Sequence, residues 1–261
     1  DEQLKLYSDE NQANPELEAL YFQYGRYLLI SSSRTPGVPA NLQGLWNESM
    51  EPPWSGNYTI NINLQENYWP AETAALPETA RNYLGVDKGW ASGHNSDIWA
   101  TANPVGLGSG DPNWANWYMS SPWLATHIWE HYLFTRDLER LKKDYSALKG
   151  AAEFCMAWLV EKDGELITSP STSPENKYIT DKGFHGATLY GGTADIAMIR
   201  ECLMDARAAS LELSEPDFAE KCDSYIGRLR PYHIGADGHL MEWYYDWADE
   251  DPQHRHQSHL F

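Results

Sequence analysis

The chain has 261 residues, 42% of them hydrophobic, and sets 19 Lys plus Arg against 38 Asp plus Glu for a net charge of −19. That length supports a sizeable core, and that charge repels phosphate backbones and anionic bilayer surfaces, so neither nucleic acid nor membrane is expected as a partner. No run of about eighteen apolar residues occurs, and Asp1-Glu2-Gln3 has neither a basic nor an apolar leader pattern, so a soluble chain with any export signal already removed is expected.

In chain order, Asn14-Pro15-Glu16 reads as N-cap, first position and first-turn acid of a helix carrying Leu17, Leu20, Tyr21, Tyr24 and Leu28 on one face and ending near Ser31. From Arg34 to Asn57 the run is rich in Pro, Gly and Asn, with Trp46 and Trp54 embedded, which predicts an ordered irregular loop. Tyr58-Thr-Ile-Asn-Ile-Asn63 alternates. If extended, it puts Asn61 and Asn63 on one side and Ile60 and Ile62 on the other. Helical character resumes over Gln65–Glu72, and residues 85–111 return to loop, with His94, Asp97 and Trp99 delivered together as a polar and aromatic cluster.

Ser121-Pro122 opens a helix through Phe134 that is apolar nearly all round, as an inner helix should be. The next helix carries Tyr145, Leu148, Ala152, Cys155 or Met156, and Leu159 on one stripe. Asp163-Gly164 then turns the chain into Leu166-Ile-Thr-Ser-Pro-Ser-Thr-Ser-Pro-Glu-Asn176. Thr193 can cap a further helix, and Ser214 with Pro216 can start another. Asp237-Gly238 leads into His239-Leu-Met-Glu-Trp-Tyr-Tyr-Asp-Trp247 much as Asp163-Gly164 leads into the earlier loop. Cys155, Cys202 and Cys222 each fall within a helical pattern and read as buried thiols. Helix pairs with hairpins between them suggest an α/α toroid. No linker and no fixed-period repeat divides residues 1–261, so a single domain is expected. The closing His254-Arg-His-Gln-Ser-His-Leu-Phe261 is a dense polar motif with no helix after it, and a fragment of a longer protein is expected.

The loop up to Asn176 carries one ionisable group, Glu175, between two stiffening prolines and a run of small hydroxyl residues. It is either a solvated surface turn or a positioned acid. With Asn61 and Asn63 it suggests glycoside hydrolysis, in which a carboxylic acid protonates the leaving oxygen while another group directs water at the opposite face of the ring. An Asn carbonyl oxygen can orient such a water by accepting its hydrogen bond. Twelve Trp and sixteen Tyr supply flat faces suited to sugar rings or to large helical cores. His254-Arg255-His256 places a five-donor cation between imidazoles, a set suited to sugar hydroxyls. His254, His256 and His259 could instead ligate zinc, but no Cys lies close by to complete a site. His127-Ile-Trp-Glu130-His131 matches H-x-x-E-H, the zinc-peptidase pattern, and remains a remote alternative because so short a match arises easily among nine His and thirty-eight acids.

Four blocks together resemble glycoside hydrolase family 95: Pro39-Ala-Asn-Leu-Gln-Gly-Leu-Trp-Asn47, Tyr58-Thr-Ile-Asn-Ile-Asn63 with Asn67-Tyr-Trp-Pro-Ala-Glu72, Thr168-Ser-Pro-Ser-Thr-Ser-Pro-Glu-Asn176, and His254-Arg-His-Gln-Ser-His-Leu260. The resemblance implies an all-α (α/α)6 barrel of antiparallel helix pairs, incomplete in this chain, with short β-hairpins in its loops. It implies an inverting exo-α-L-fucosidase acting on fucosylated oligosaccharides or polysaccharides without a cofactor, in a secreted or periplasmic setting. Glu175 then matches the general acid, Asn61 and Asn63 the amides that orient water, and Arg255 and His256 sugar-binding positions, with His94, Asp97 and Trp99 as further substrate contacts. The family's catalytic Asp is expected beyond Phe261. Two departures stand out: the connection from Glu72 to Val86 is shorter than usual, and the family's His-His-Asn appears as Gly93-His94-Asn95. An α-L-galactosidase and a non-catalytic sugar-binding fragment are the alternatives.

Overall fold

The computed structural model describes residues 2–9, 13–35, 39–56, 62–84, 117–254 and 260. Helices α1 (Glu2–Asp9), α2 (Pro15–Ser33), α3 (Asn63–Tyr68), α4 (Pro70–Thr73) and α5 (Pro77–Leu84) precede α6 (Ser120–Thr135) and α7 (Leu138–Trp158). Helices α8 (Thr193–Glu212) and α9 (Pro216–Ile226) follow a region of short strands.

Local chemistry sets these boundaries. Asn14 accepts from the Leu17 amide at 3.0 Å and Pro15 supplies the first helical φ of α2, as the sequence predicts. Helix α2 runs to Ser33, two residues past the expected end, and only Leu29 and Ser33 on it are buried. The stripe of Leu20, Tyr21, Tyr24 and Leu28 is exposed, and part of it lines a cavity of about 730 Å³ shared with Trp46 and Pro70. An apolar stripe therefore marks a helix here without marking its packing.

Helices α6 and α7 form the first half of the main core. Arg136 takes a left-handed conformation (φ 55°) and Asp137 caps α7 by accepting from the Arg140 amide at 3.0 Å. So short a connection folds α7 back antiparallel on α6. Helix α8 packs against both, and α9 packs on α8. Leu148, Ala152 and Cys155 of α7 and Ile199, Cys202, Leu203 and Ala206 of α8 are fully buried, at the three- and four-residue spacing of one helical face. The Ala and Cys among them leave room for close helix approach. All three cysteines are free thiols, as the sequence predicts. The inner position expected for α6 holds from Ser120 to Ile128, while Leu133 and Phe134 at its end are exposed.

Between α7 and α8 the chain builds three small sheets. β1 (Leu159–Lys162) and β2 (Glu165–Thr168) form a hairpin closed by Asp163 (φ 55°) and Gly164 (φ 87°), so the predicted Asp-Gly turn is present. β3 (Ser171–Thr172) pairs with β6 (Thr188–Leu189). β4 (Tyr178–Ile179) lies between β5 (His185–Gly186) and β7 (Ala248–Asp249). β7 thus ties the later segment back to the strand that follows Glu175. No described helix is long and apolar enough to cross a membrane.

Two local readings change. Asn63 is not extended: Ile62 (φ −141°, ψ −5°) caps a helix whose first residue is Asn63. The strong apolar residues that follow, Leu64 and Tyr68, are buried at a four-residue spacing, and this helical burial overrides the alternation ahead of it. Thr193 is the first helical residue of α8 and not its cap, because its hydroxyl donates to the Met241 carbonyl at 2.5 Å.

Candidate active site

Glu175 sits in the turn between β3 and β4, and what surrounds that turn excludes a solvated surface loop. Thr168, Ser171, Thr172 and Ser173 are all at most 2% exposed, and Glu175 itself is half-buried. Thr168 finds its partner in a buried carboxyl group and Ser171 in a backbone amide, while a second buried carboxyl group holds Asn176.

The first carboxyl group is Asp195, in the opening turn of α8 and 2% exposed. Its Oδ2 accepts from Thr168 Oγ1 at 2.8 Å. Burial pushes its pKa up to about 7 against the hydrogen bonds from Ser171 and Thr168, which favour the charged form. The Gly192 amide donates to Ser171 Oγ at 3.0 Å. A Cβ on Gly192 would sit 2.7 Å from that hydroxyl, so only glycine lets α8 approach the loop this closely.

The second is Glu242, 7% exposed, on the segment after the Asp237-Gly238 turn. Asn176 Nδ2 donates to Glu242 Oε2 at 3.1 Å. Asn176 Oδ1 accepts from the Lys177 amide at 2.8 Å, and the Asn176 amide donates to the Ser173 carbonyl at 2.9 Å, closing the turn that presents Glu175. Burial pushes Glu242 up to about 7, helped by the charge of Asp249 and opposed by the hydrogen bond from Asn176. The backbone of Glu242 is anchored too, its carbonyl accepting from the Thr193 amide at 3.0 Å.

An aromatic wall flanks the turn. The Tyr178 ring lies 5.2 Å from Trp243, edge-on, and 5.0 Å from Trp247, while Trp243 Nε1 donates to Asp249 Oδ1 at 2.8 Å. Asn176, Glu242, Trp243, Tyr245, Trp247 and His254 help line a cleft of about 500 Å³. Glu175 is the chain neighbour of Asn176 in that lining, and a half-buried carboxyl group on a clamped loop suits proton donation.

Of the catalytic and sugar-binding candidates, Glu175, Asn63 and His254 are described, and His254 helps line the cleft. Asn63, half-buried, opens α3. The short helix α3 packs on α5, α5 on α6, and α6 on α8, the helix whose first turn clamps the Glu175 loop. Asn61, His94, Asp97, Trp99, Arg255, His256 and His259 lie outside the described residues. The predicted loop over residues 85–111 lies outside them as well.

The zinc-peptidase pattern dissolves into structural pairs. His127 Nδ1 donates to the Trp123 carbonyl of its own helix at 3.2 Å, and burial pushes its pKa down to about 4. His131 Nδ1 donates to Glu72 Oε1 at 2.5 Å. Burial, together with the charge of Glu72, raises Glu130. Among the described residues no three His, Cys, Asp or Glu side chains are grouped to hold a metal ion.

Asp195 and Glu242 escaped the sequence reading. Each sits among apolar neighbours, in Ala194-Asp195-Ile196-Ala197 and Leu240-Met241-Glu242-Trp243, and a carboxyl group in such company is the available signal.

The chain is 40% identical over 283 residues to alpha-L-fucosidase 2 of Arabidopsis thaliana, a match covering 98% of this chain and 33% of that protein. It is 34% identical to a probable alpha-fucosidase A of Aspergillus niger (98% of this chain, 35% of that protein). A probable alpha-fucosidase A of Aspergillus oryzae is 30% identical (97% and 29%). The chain thus spans about a third of the length of these relatives. The glycosyl hydrolase family 95 catalytic domain matches residues 1–261 from end to end, and the chain belongs to that family.

Proposed function

We propose that this chain is part of the catalytic domain of an exo-acting α-L-fucosidase that releases terminal L-fucose from glycans with inversion. The observation that carries the reading is the clamped turn of Ser173–Asn176, which holds one half-buried carboxyl group, Glu175, next in the chain to Asn176, a residue lining an aromatic-walled cleft. Glu175 protonates the departing oxygen. Asn61 and Asn63 orient the attacking water, with a carboxylate base supplied from outside these 261 residues. Arg255, His256, His94, Asp97 and Trp99 hold the sugar. The helix hairpins belong to an (α/α)6 barrel, and the setting is secreted or periplasmic, where such glycans occur. Single displacement needs no cofactor.

The stereochemistry of the first-formed sugar tests the mechanism. Proton NMR during turnover of an α-L-fucoside by the full-length protein should show β-L-fucose first, followed by mutarotation. Release of the α-anomer first would mean a covalent intermediate and would remove the two amides from their role.

A second expectation separates water orientation from acid catalysis. Asn63→Ala should lower kcat by about 10²-fold or more for good and poor leaving groups alike, because both need the same water. A loss confined to poor leaving groups would assign Asn63 to the departing side of the ring.

A further inference from the structure

We infer that Glu242 is a positioning residue for the proton donor. The inference rests on the reading of Glu175 as general acid and adds the group that fixes where its carboxyl points. Glu175 immediately precedes Asn176, whose Nδ2 donates to Glu242 Oε2 at 3.1 Å and whose amide closes the turn on the Ser173 carbonyl. The link to Asn176 is directional: Nδ2 donates to Glu242 while Oδ1 accepts from the Lys177 amide, so neither end of that amide is left to rotate. The main chain of Glu242 is in turn fixed by the Thr193 amide, and Thr193 Oγ1 holds the adjacent Met241 carbonyl. A rigid path therefore runs from the first turn of α8, through residues 241 and 242, to the turn that carries Glu175.

Asp195 holds the loop further upstream, through Thr168. Glu242 also lines the 500 Å³ cleft together with Asn176. The residue is thus placed to hold, through Asn176, the turn that carries the acid at the edge of the cleft. A displacement of about 1 Å at a reacting group is enough to cost on the order of 10²-fold in rate.

The test compares leaving groups in the full-length protein. Glu242→Leu removes the acceptor and should lower kcat on phenyl α-L-fucoside by about 10²-fold, with KM within about threefold, because the acid is misplaced while sugar binding is kept. α-L-Fucosyl fluoride, whose departure depends less on proton donation, should lose less than about fivefold. Glu242→Gln keeps an oxygen that can accept from Asn176 and should recover kcat to within about tenfold of the parent. Asn176→Ala, which cuts the same bond from the other side, should reproduce the leaving-group dependence and serves in place of Glu242→Leu if that variant does not fold. Equal losses on both substrates, or no loss from either variant, would overturn the inference. Glu175→Gln measured in the same assay keeps the two ideas apart. If Glu175→Gln shows no leaving-group dependence, the general-acid reading fails. If it does and the Glu242 and Asn176 variants do not, only the positioning role fails.

Discussion

Glu175→Gln should lower kcat on phenyl α-L-fucoside by about 10²–10⁴-fold, the usual contribution of a positioned general acid, and should lower turnover of the fluoride far less. The amide has nearly the same volume and can occupy the same half-buried turn, but it has no proton to give. The loop itself should survive the change, since Thr168, Ser171 and Asn176 hold it through hydrogen bonds of their own. Steady-state kinetics with the two substrates provide the check. A uniform loss on both would place the acid elsewhere and leave the clamped loop without a catalytic role.

The largest effect on stability should come from Asp195. Its folded-state pKa is raised to about 7, against about 3.9 in an unfolded chain. A carboxyl group raised in this way favours the folded state fully below about pH 4, and that contribution is lost as pH rises through 7. The direction follows from proton counts: between those values the native state holds a proton that the unfolded state has released, so stability falls with increasing pH. Glu242, also raised to about 7, acts in the same direction. Asp195→Asn retains an acceptor for Thr168 Oγ1 and removes the titration. The stability difference between parent and Asp195→Asn should therefore change by about 2–3 kcal/mol between pH 5 and pH 8, in favour of the variant at the higher pH. Urea unfolding at the two pH values measures this directly. A difference that does not vary with pH would mean that Asp195 keeps its charge in the folded protein.

Some of this was legible in the chain and some was not, for physical reasons that differ residue by residue. The start of α2 was legible because a cap and a proline act within one turn of helix. The Asp163-Gly164 turn was legible because positive φ is a local property of few residue types. The contents of the core were legible in α7, where Leu148, Ala152 and Cys155 keep helical spacing. The α2 stripe shows the limit, since periodicity says which residues share a face and nothing about what covers it. Asn63 joins the helix and not an extended run because the helical burial of Leu64 and Tyr68 just beyond it outweighs a short two-residue alternation.

The candidate site divides along the same line. The sequence by itself determined a lone carboxyl group in a proline-stiffened loop, the amides at 61 and 63, and a family resemblance carried by four ordered blocks. These are features of contiguous residues, whose meaning survives without knowledge of what lies across the fold. Only the tertiary structure decided that the loop is buried and clamped, that Asp195 lies beneath Thr168 and Ser171, and that Glu242 reaches Asn176 from 66 positions away. A carboxyl group becomes a buried, near-neutral anchor when neighbours remote in sequence take away its water and supply hydrogen bonds in return, and that exchange is written in the packing of α8 and the residue 232–254 segment against the loop.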